Sequence, residues 1–441
     1  MFTTPILPPE LFGEILHCID DSEVATLSAL SLSNKVFLSR CQRRIFSTIS
    51  FRSTCSKQVH NYLGQDPHLD TRLKAFLHIL KSSSHIASYV RRLELSITTG
   101  SDAWVVEEPF IKIMEIIKTS GNGIQELGLY GISFPEKFGD LLGLERIFLR
   151  PYINPTITSV TVSRLVGIPA SLLRDSVNLE ALTIDHSALE FDVGFDGTQV
   201  LSACPKLRAI TFHPSMGVLE TILECGKVPS NSQILDLSSL RTIHTISFPY
   251  NMLAANEIIQ FSEGNFEELH IKHNEEFRYC PFAGSIDLSI SFGLRILDIE
   301  IVFPSPSSVL GGPLADFCRV LETIPQKNSV EEIKLGAYIG FYSSKHGPAS
   351  CFQADWDLVD SALTRISDER PLLFHVHFVY SFDEGSDTTS DGDEMELERA
   401  LHGEVERHCA TVFRRLVQER FPLVNTSSNI TLILSHDVVV D

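Results

Sequence analysis

The residues best placed to do chemistry are histidines and carboxylates at short intervals on candidate strands. His375 and His377 stand two apart, which in a strand puts both on one face, as a pair of metal ligands would be. No cysteine or carboxylate nearby in the chain completes a ligand set, so no metal is expected and the pair reads as two histidines on the wet side of a sheet. His270 and His273 are three apart, which in an extended segment sends them to opposite faces. Asp298 and Glu300 share a strand face, and Glu267 and Glu268 are adjacent; paired-acid catalysis would need a partner across a cleft. Gly311-Gly312-Pro313 precedes a helix start that could cradle an anion, though a plain helix start accounts for it. There is no G-x-G-x-x-G, no phosphate loop, no G-x-S-x-G and no H-E-x-x-H. The expectation is a chain with no catalytic residues, no cofactor and no metal site.

These residues fall in segments that repeat a local pattern. An apolar residue is followed three positions later by a short alternating stretch rich in branched side chains, as L-x-x-L-x-L, then by a loop and a helix. The copies are Val90-Leu93-Leu95, Ile124-Leu127-Leu129, Leu144-Ile147-Leu149, Ile157-Val160-Val162, Leu179-Leu182-Ile184 and Leu207-Ile210-Phe212. They continue with Ile243-Ile246-Phe248, Phe266-Leu269-Ile271, Leu294-Leu297-Ile299, Val330-Ile333-Leu335 and Leu373-Val376-Phe378. Helix candidates lie between them at 71–90, 109–119, 135–143, 169–176, 198–204, 217–226, 254–263, 313–324 and 355–368. In several copies a charged residue follows the apolar one, as in Leu179-Glu180, Leu207-Arg208 and Leu294-Arg295. The alternation of strand, turn and helix resembles leucine-rich-repeat solenoids, in which stacked units build one parallel sheet covered by helices. The family's asparagine ladder is mostly absent just beyond the strands, where Gly131, His186, Pro214, Asn274 and Phe303 stand. The alternative is an open α/β sheet without regular curvature.

The N-terminal stretch, residues 5–51, has a different periodicity. Leu7-Pro8-Pro9-Glu10 opens a helix carrying Leu11, Ile15, Leu16 and Ile19. A second helix carries Val24, Leu27 and Leu30, and a third, starting near Ser33-Asn34, carries Phe37, Leu38, Cys41, Ile45 and Phe46. Three short helices bury little surface alone, and Phe12, Leu32 and Leu38 are left over once one core is filled. The stretch resembles an F-box, the module that binds the Skp-type adaptor of cullin–RING ubiquitin ligases. The likeness runs over Leu7-Pro8-Pro9-Glu10-Leu11, Ile15-Leu16, Leu27, Leu30, the segment from Ser31 to Phe37, and Phe46. The whole resembles the F-box-plus-repeat proteins numerous in mushroom-forming fungi. Phe37 stands where the family usually has tryptophan, and Ser33 close to its usual valine.

The resemblance implies a substrate-recognition subunit of an SCF-type ligase. Leu7, Pro8, Leu11, Ile15, Leu16, Leu27, Leu30 and Phe37 would touch the adaptor, and the repeats would hold a protein substrate near the cullin ligase core. The other reading makes the helices a cap on a repeat-based interaction scaffold without ligase association. The expected fold class is α/β: a three-helix F-box over 1–51, a connector over 52–70, and an irregular leucine-rich-repeat-like solenoid with parallel strands over 71–380. An acidic stretch over 381–398 reads as disordered, and residues 399–441 as a capping helix and a strand from Ile430 to Leu434.

Composition narrows the partners. The net charge of −20 over 441 residues argues against nucleic acid and anionic membranes, both of which need concentrated Lys and Arg. The nine cysteines are scattered, odd in number and without a C-x-x-C pair, as expected of reduced thiols in cytoplasm or nucleus. No secretory signal and no membrane-spanning run is apparent.

Overall fold

The computed structural model describes residues 14, 16, 18–20, 23–33, 35–51, 69–97, 108–121, 123–131, 136–137, 145–190, 204–213, 235–262, 264–273, 284–303, 312–341, 356–368, 370–382, 415 and 419–440. The chain divides into two compact units: Met1–Lys206 with Ser215–Asp236, and Leu207–Pro214 with Leu237–Asp441. No helix among the described residues is long and apolar enough to cross a membrane.

The first unit runs α1 (Val24–Ser33), α2 (Lys35–Ile45), β1 (Thr48–Phe51), α3 (Leu69–Ser82), a 3-10 turn (Ser84–Tyr89) and β2 (Arg92–Ile97). It continues with α4 (Glu108–Thr119), β3 (Glu126–Gly131), β4 (Glu136–Lys137), a wide π-type helix (Glu145–Ile153) and β5 (Ser159–Ser163). β6 (Leu165–Pro169), α5 (Ala170–Arg174), β7 (Ala181–Asp185) and β8 (Ala188–Glu190) complete its regular elements. β1, β2, β3, β5 and β7 pair in chain order, all parallel. β4, β6 and β8 form a second small parallel sheet.

The second unit contains β9 (Ala209–Phe212), β10 (Thr242–Ile246), α6 (Pro249–Phe261), β11 (Glu268–Lys272), β12 (Ile296–Phe303), α7 (Pro313–Thr323) and β13 (Glu332–Phe341). α8 (Trp356–Ser367), β14 (Leu372–Phe382), α9 (Pro422–Thr426) and β15 (Ile430–Val440) follow. Its seven strands also pair in chain order and in parallel. Both units are therefore open α/β arrangements, as strand-then-helix alternation demands.

Alternation sets the core. β12 alternates half-buried and buried residues along its whole length. Its buried side chains Leu297, Ile299, Ile301 and Phe303 stack beside Ile333, Leu335, Ala337 and Ile339 of β13. Pro249, Pro313 and Pro422 stand in the first turns of their helices, where a missing N–H costs nothing.

The residue ahead of a strand, charged at Arg91, Arg241, Glu267 and Arg295 and uncharged at Ser47, Gln125 and Thr158, has a backbone role. Its carbonyl accepts two successive N–H groups of the next coil: Gln125 and Glu126 donate to Arg91, Glu267 and Glu268 to Arg241, Arg295 and Ile296 to Glu267, and Glu331 and Glu332 to Arg295. In the second unit two arginines, Arg208 and Arg241, stand side by side at this position, and from Arg241 to Glu331 the side chains alternate in sign. Arg241 pairs with Glu267 at 3.3 Å and Arg295 with Glu331 at 2.8 Å. An amide ladder also exists, but before the strands rather than beyond them. Asn178 Nδ2 donates to Pro155 O at 3.0 Å, and Asn265 Nδ2 to Ser238 O at 2.9 Å. Thr156 does the same in its own coil, with its hydroxyl donating to Ile124 O at 2.6 Å.

Several sequence expectations need correction. Leu144-Ile147-Leu149 is not a strand: Glu145–Ile153 is helical, with Phe148, Leu149 and Ile153 buried and Ile147 exposed. A spacing of three suits a helix as well as this repeat, which is why the pattern misleads there. Ile243-Ile246-Phe248 is shifted by three. Ile243 pairs with Ile210 and Leu269, so the inward positions are Leu240, Ile243 and Thr245, and the buried Thr245 hides the pattern. Leu373-Val376-Phe378 is similarly two residues late, since Phe374 pairs with Ile333 and Val376 with Leu335. The helix expected at 254–263 starts earlier, at Pro249, and the one at 71–90 ends at Ser82. Residues 136–137 of the helix expected at 135–143 form β4. β1 lies inside the stretch read as wholly helical, β14 runs to Phe382, and β15 runs to Val440. Residues 198–203 of the helix expected at 198–204, the helix expected at 217–226, and most of the acidic stretch and the helix after it lie outside the described residues; Cys204 is not helical.

Gly131 ends β3 where the turn between β5 and β6 crosses it. A Cβ there would meet the Arg164 carbonyl oxygen at 2.2 Å, and Arg164 itself is at φ 58°. Backbone cannot yield as a side-chain tip can, so Gly131→Ala should destabilise the first unit by about 1–3 kcal/mol. A urea midpoint unchanged from the parent protein would refute this.

Candidate functional site

Two surfaces qualify. The first is the helical module. Leu16, Leu27, Phe37 and Cys41 form a small closed core, with Ile19, Leu30 and Ile45 packed around it. Burial pushes the Cys41 thiol up, against the pull of Arg44. Arg44 ties the segment before α1 to α2, donating to Leu16 O and, at 2.6 Å, to Ile19 O. Of the residues expected to touch an adaptor, Leu16, Leu27 and Phe37 are thus buried within the module and Leu30 is half-buried. Leu7, Pro8, Leu11 and Ile15 lie outside the described residues. Among the module's described residues, the large apolar side chains that are exposed are Leu32 (87%), Val24 (47%) and Leu38 (38%). The module also touches the first coil: Arg43 lies 5.6 Å from the Tyr89 ring, and Gln42 meets His85 at 3.4 Å.

The second surface is the polar face of the β10–β15 sheet. Parallel register brings residues far apart in the chain into rows across it. One row runs Thr211, His244, His270, Asp298, Lys334, His375, Ile433; the next includes Lys272, Glu300, Gly336, His377 and Ser435. His244 and His270 stack with centroids 4.2 Å apart and planes 10° from parallel. His270 Nδ1 is 3.2 Å from Asp298 Oδ2, and its Nε2 is 3.6 Å from Glu268 Oε2. At the other end the Ser435 hydroxyl lies 2.6 Å from His375 Nε2 and 2.8 Å from His377 Nδ1. His377 Nε2 is 3.3 Å from Asp437. The structure brings His375 and His377 together as alternation requires, and Asp298 and Glu300 onto one face.

His273 departs from expectation. β11 ends at Lys272, so strand alternation no longer governs it, and its ring packs 5.4 Å from Tyr338, on the polar face. Its backbone N–H donates to Glu300 Oε2 at 2.8 Å. Glu300 lies over Gly336, where a Cβ would meet its Cγ at 2.9 Å. Burial raises the Glu300 pKa, partly offset by the His273 N–H. Burial lowers the pKa of His273 to about 4, and lowers those of His244 and His375, helped by His270 and His377 respectively.

These shifts fix a pH dependence. A histidine whose folded pKa is depressed favours folding fully above its unfolded value near 6.5, and that advantage is lost as pH falls towards its folded pKa. Glu300, raised by burial, acts in the opposite sense and is least costly at low pH. Asp316, also raised by burial, acts in the same sense as Glu300, while the large depression at His273 makes its own contribution fall between pH 6.5 and about 4. His273→Gln should flatten the urea-midpoint profile over that window; an unaltered slope would show that His273 does not contribute.

Among the described residues no group of three or more His, Cys, Asp or Glu side chains is placed to hold a metal ion. The arrangement suits recognition: a half-exposed field of acceptors and imidazoles on rigid strands. No family model matches the chain, and no curated protein matches it either.

Proposed function

We propose that the chain is the substrate-recognition subunit of an SCF-type cullin–RING ubiquitin ligase, with the helical module docking the Skp-type adaptor and the repeat-like α/β region holding a protein substrate. The observation that carries this reading is a helical module that closes its own core with Leu16, Leu27, Phe37 and Cys41 yet leaves Leu32, Leu38 and Val24 exposed. Surplus apolar surface on so small a module is best explained by a partner. With Leu7, Pro8, Leu11 and Ile15 ahead of them in the chain, these side chains supply the apolar contacts. The resemblance supports the same assignment.

A second reading has its own support. β1 follows α2 after two residues and pairs with β2, and the contacts of Arg43 and Gln42 with the 3-10 turn join the helices to the first coil. A capping role in a repeat-based interaction scaffold accounts for those contacts. Capture of purified Skp-type adaptor by the full chain decides between them. The expected result is capture by the parent protein and loss with Leu32→Asp plus Leu38→Asp, at unchanged circular dichroism. A folded parent protein that captures no adaptor favours the cap.

A further inference from the structure

We infer that the polar face across β10 to β15 is a docking surface for a basic protein segment, an extended stretch carrying several lysines or arginines. The inference rests on the reading of the α/β region as the target-holding part, and names the chemistry of the target. Five carboxylates, Glu268, Asp298, Glu300, Glu332 and Asp437, point to this face or lie on its alternation, against two lysines, Lys272 and Lys334. Lys334 is already held by Glu332 at 3.2 Å. The rim ahead of the strands adds no negative excess, because Arg208, Arg241 and Arg295 stand there against Glu267 and Glu331. The negative balance therefore belongs to the face itself.

Geometry fits an extended ligand. Neighbouring strands are about 4.8 Å apart, so β11 to β15 span roughly 19 Å, the reach of about six extended residues crossing the sheet. Ile296, Leu373 and Val302 are half-buried between the carboxylates and Ile433 is exposed, giving lysine or arginine stems apolar surface to lie on. A nucleic acid would meet repulsion instead.

The histidines make such binding sensitive to acid. His244 faces Thr211 of β9 and, from β11 and β12, Glu268, His270, Lys272 and Asp298. His375 faces Lys334 and Glu332 of β13, Asp298 of β12, Ser435 of β15, and His377 on its own strand. His377 also meets Asp437, and His273 meets Tyr338 and Glu300. Each proton taken up adds positive charge beside a cationic ligand.

The test uses the full chain without adaptor, so that failure of adaptor docking leaves it intact. The probe is a fluorescein-labelled twelve-residue peptide of alternating lysine and valine, read by anisotropy at pH 7.5 in physiological salt. The same peptide with glutamate for lysine serves as control. Asp298→Lys with Glu332→Lys should weaken binding at least about tenfold. Glu115→Lys with Glu322→Lys, exposed on α4 and α7, changes net charge equally and should leave binding within about twofold. Should the lysine pair fail to fold, Asp298→Asn with Glu332→Gln should still weaken binding, by about threefold. The inference is overturned if the parent protein does not bind the lysine peptide, if it binds the glutamate peptide as well, or if both charge-reversed pairs lose binding equally. Adaptor capture without peptide binding would leave the ligase reading standing and remove this one.

Discussion

Trp356→Ala should cost about 3–5 kcal/mol and loosen the C-terminal end of the second unit. Trp356 opens α8, is fully buried, and touches Phe378 of β14 at 6.2 Å and Phe421 at 5.6 Å between ring centroids. Phe421 in turn meets Phe374 at 6.1 Å. One indole thus joins a helix, a strand and the segment leading into the last strand, and alanine would leave a cavity that three separate elements must collapse to fill. Hydrogen exchange should show early loss of protection in β14 and β15 while β10 and β11 stay protected. Uniform loss across all seven strands would mean that the unit opens as one block and that the aromatic cluster has no local role.

Asp360→Ala should cost about 2–4 kcal/mol by a different route. Asp360 is buried one turn after Trp356, and its two oxygens accept the N–H groups of Leu423 at 2.9 Å and Val424 at 2.8 Å. These belong to the first turn of α9, whose N-terminal N–H groups have no partner within the helix. A carboxylate from another helix therefore caps it. Alanine would leave both donors without their acceptor, whereas Asp360→Asn keeps one acceptor and turns an NH₂ towards the other donor. The asparagine variant should fall between parent and alanine in a thermal melt. Equal stability of asparagine and parent would show that a single acceptor suffices. The two losses at Trp356 and Asp360 should not add, because both act on the same junction.

The sequence showed the strands best where a charged residue stood between an apolar one and an alternating run. The structure explains why: at Arg295, for example, the carbonyl holds the next coil and the side chain pairs with Glu331, so residue type and backbone role coincide. Leu144-Ile147 carries the same spacing and the same context, with Glu145 after the leucine, yet Glu145–Ile153 is helical, so this local pattern alone does not decide between strand and helix. The pattern around Ile243 is masked by a threonine, Thr245, that occupies an inward position. β4, β6 and β8 are short and depend on neighbours for pairing, so local pattern does not reveal them. At the candidate surfaces, Leu32 and Leu38 were legible as apolar residues left over. The burial of Leu27 was not, because α1 is apolar all round and does not declare its inner face. Likewise His375 and His377, or Asp298 and Glu300, could be placed on common faces. Their meeting with Ser435 and Asp437, or with His270, depends on register between strands 28 to 60 residues apart, which no local spacing encodes.

The alternating charges ahead of the strands have a consequence for how this chain can change in length. Removing a single coil, so that Arg241 came to adjoin Arg295 or Glu267 to adjoin Glu331, would set like charges side by side along that rim. Removing or duplicating two coils together would preserve the order. From β10 to β13, gains and losses of sequence should therefore be tolerated best in pairs of coils, whereas the Arg208–Arg241 neighbours at the β9 side set no such order.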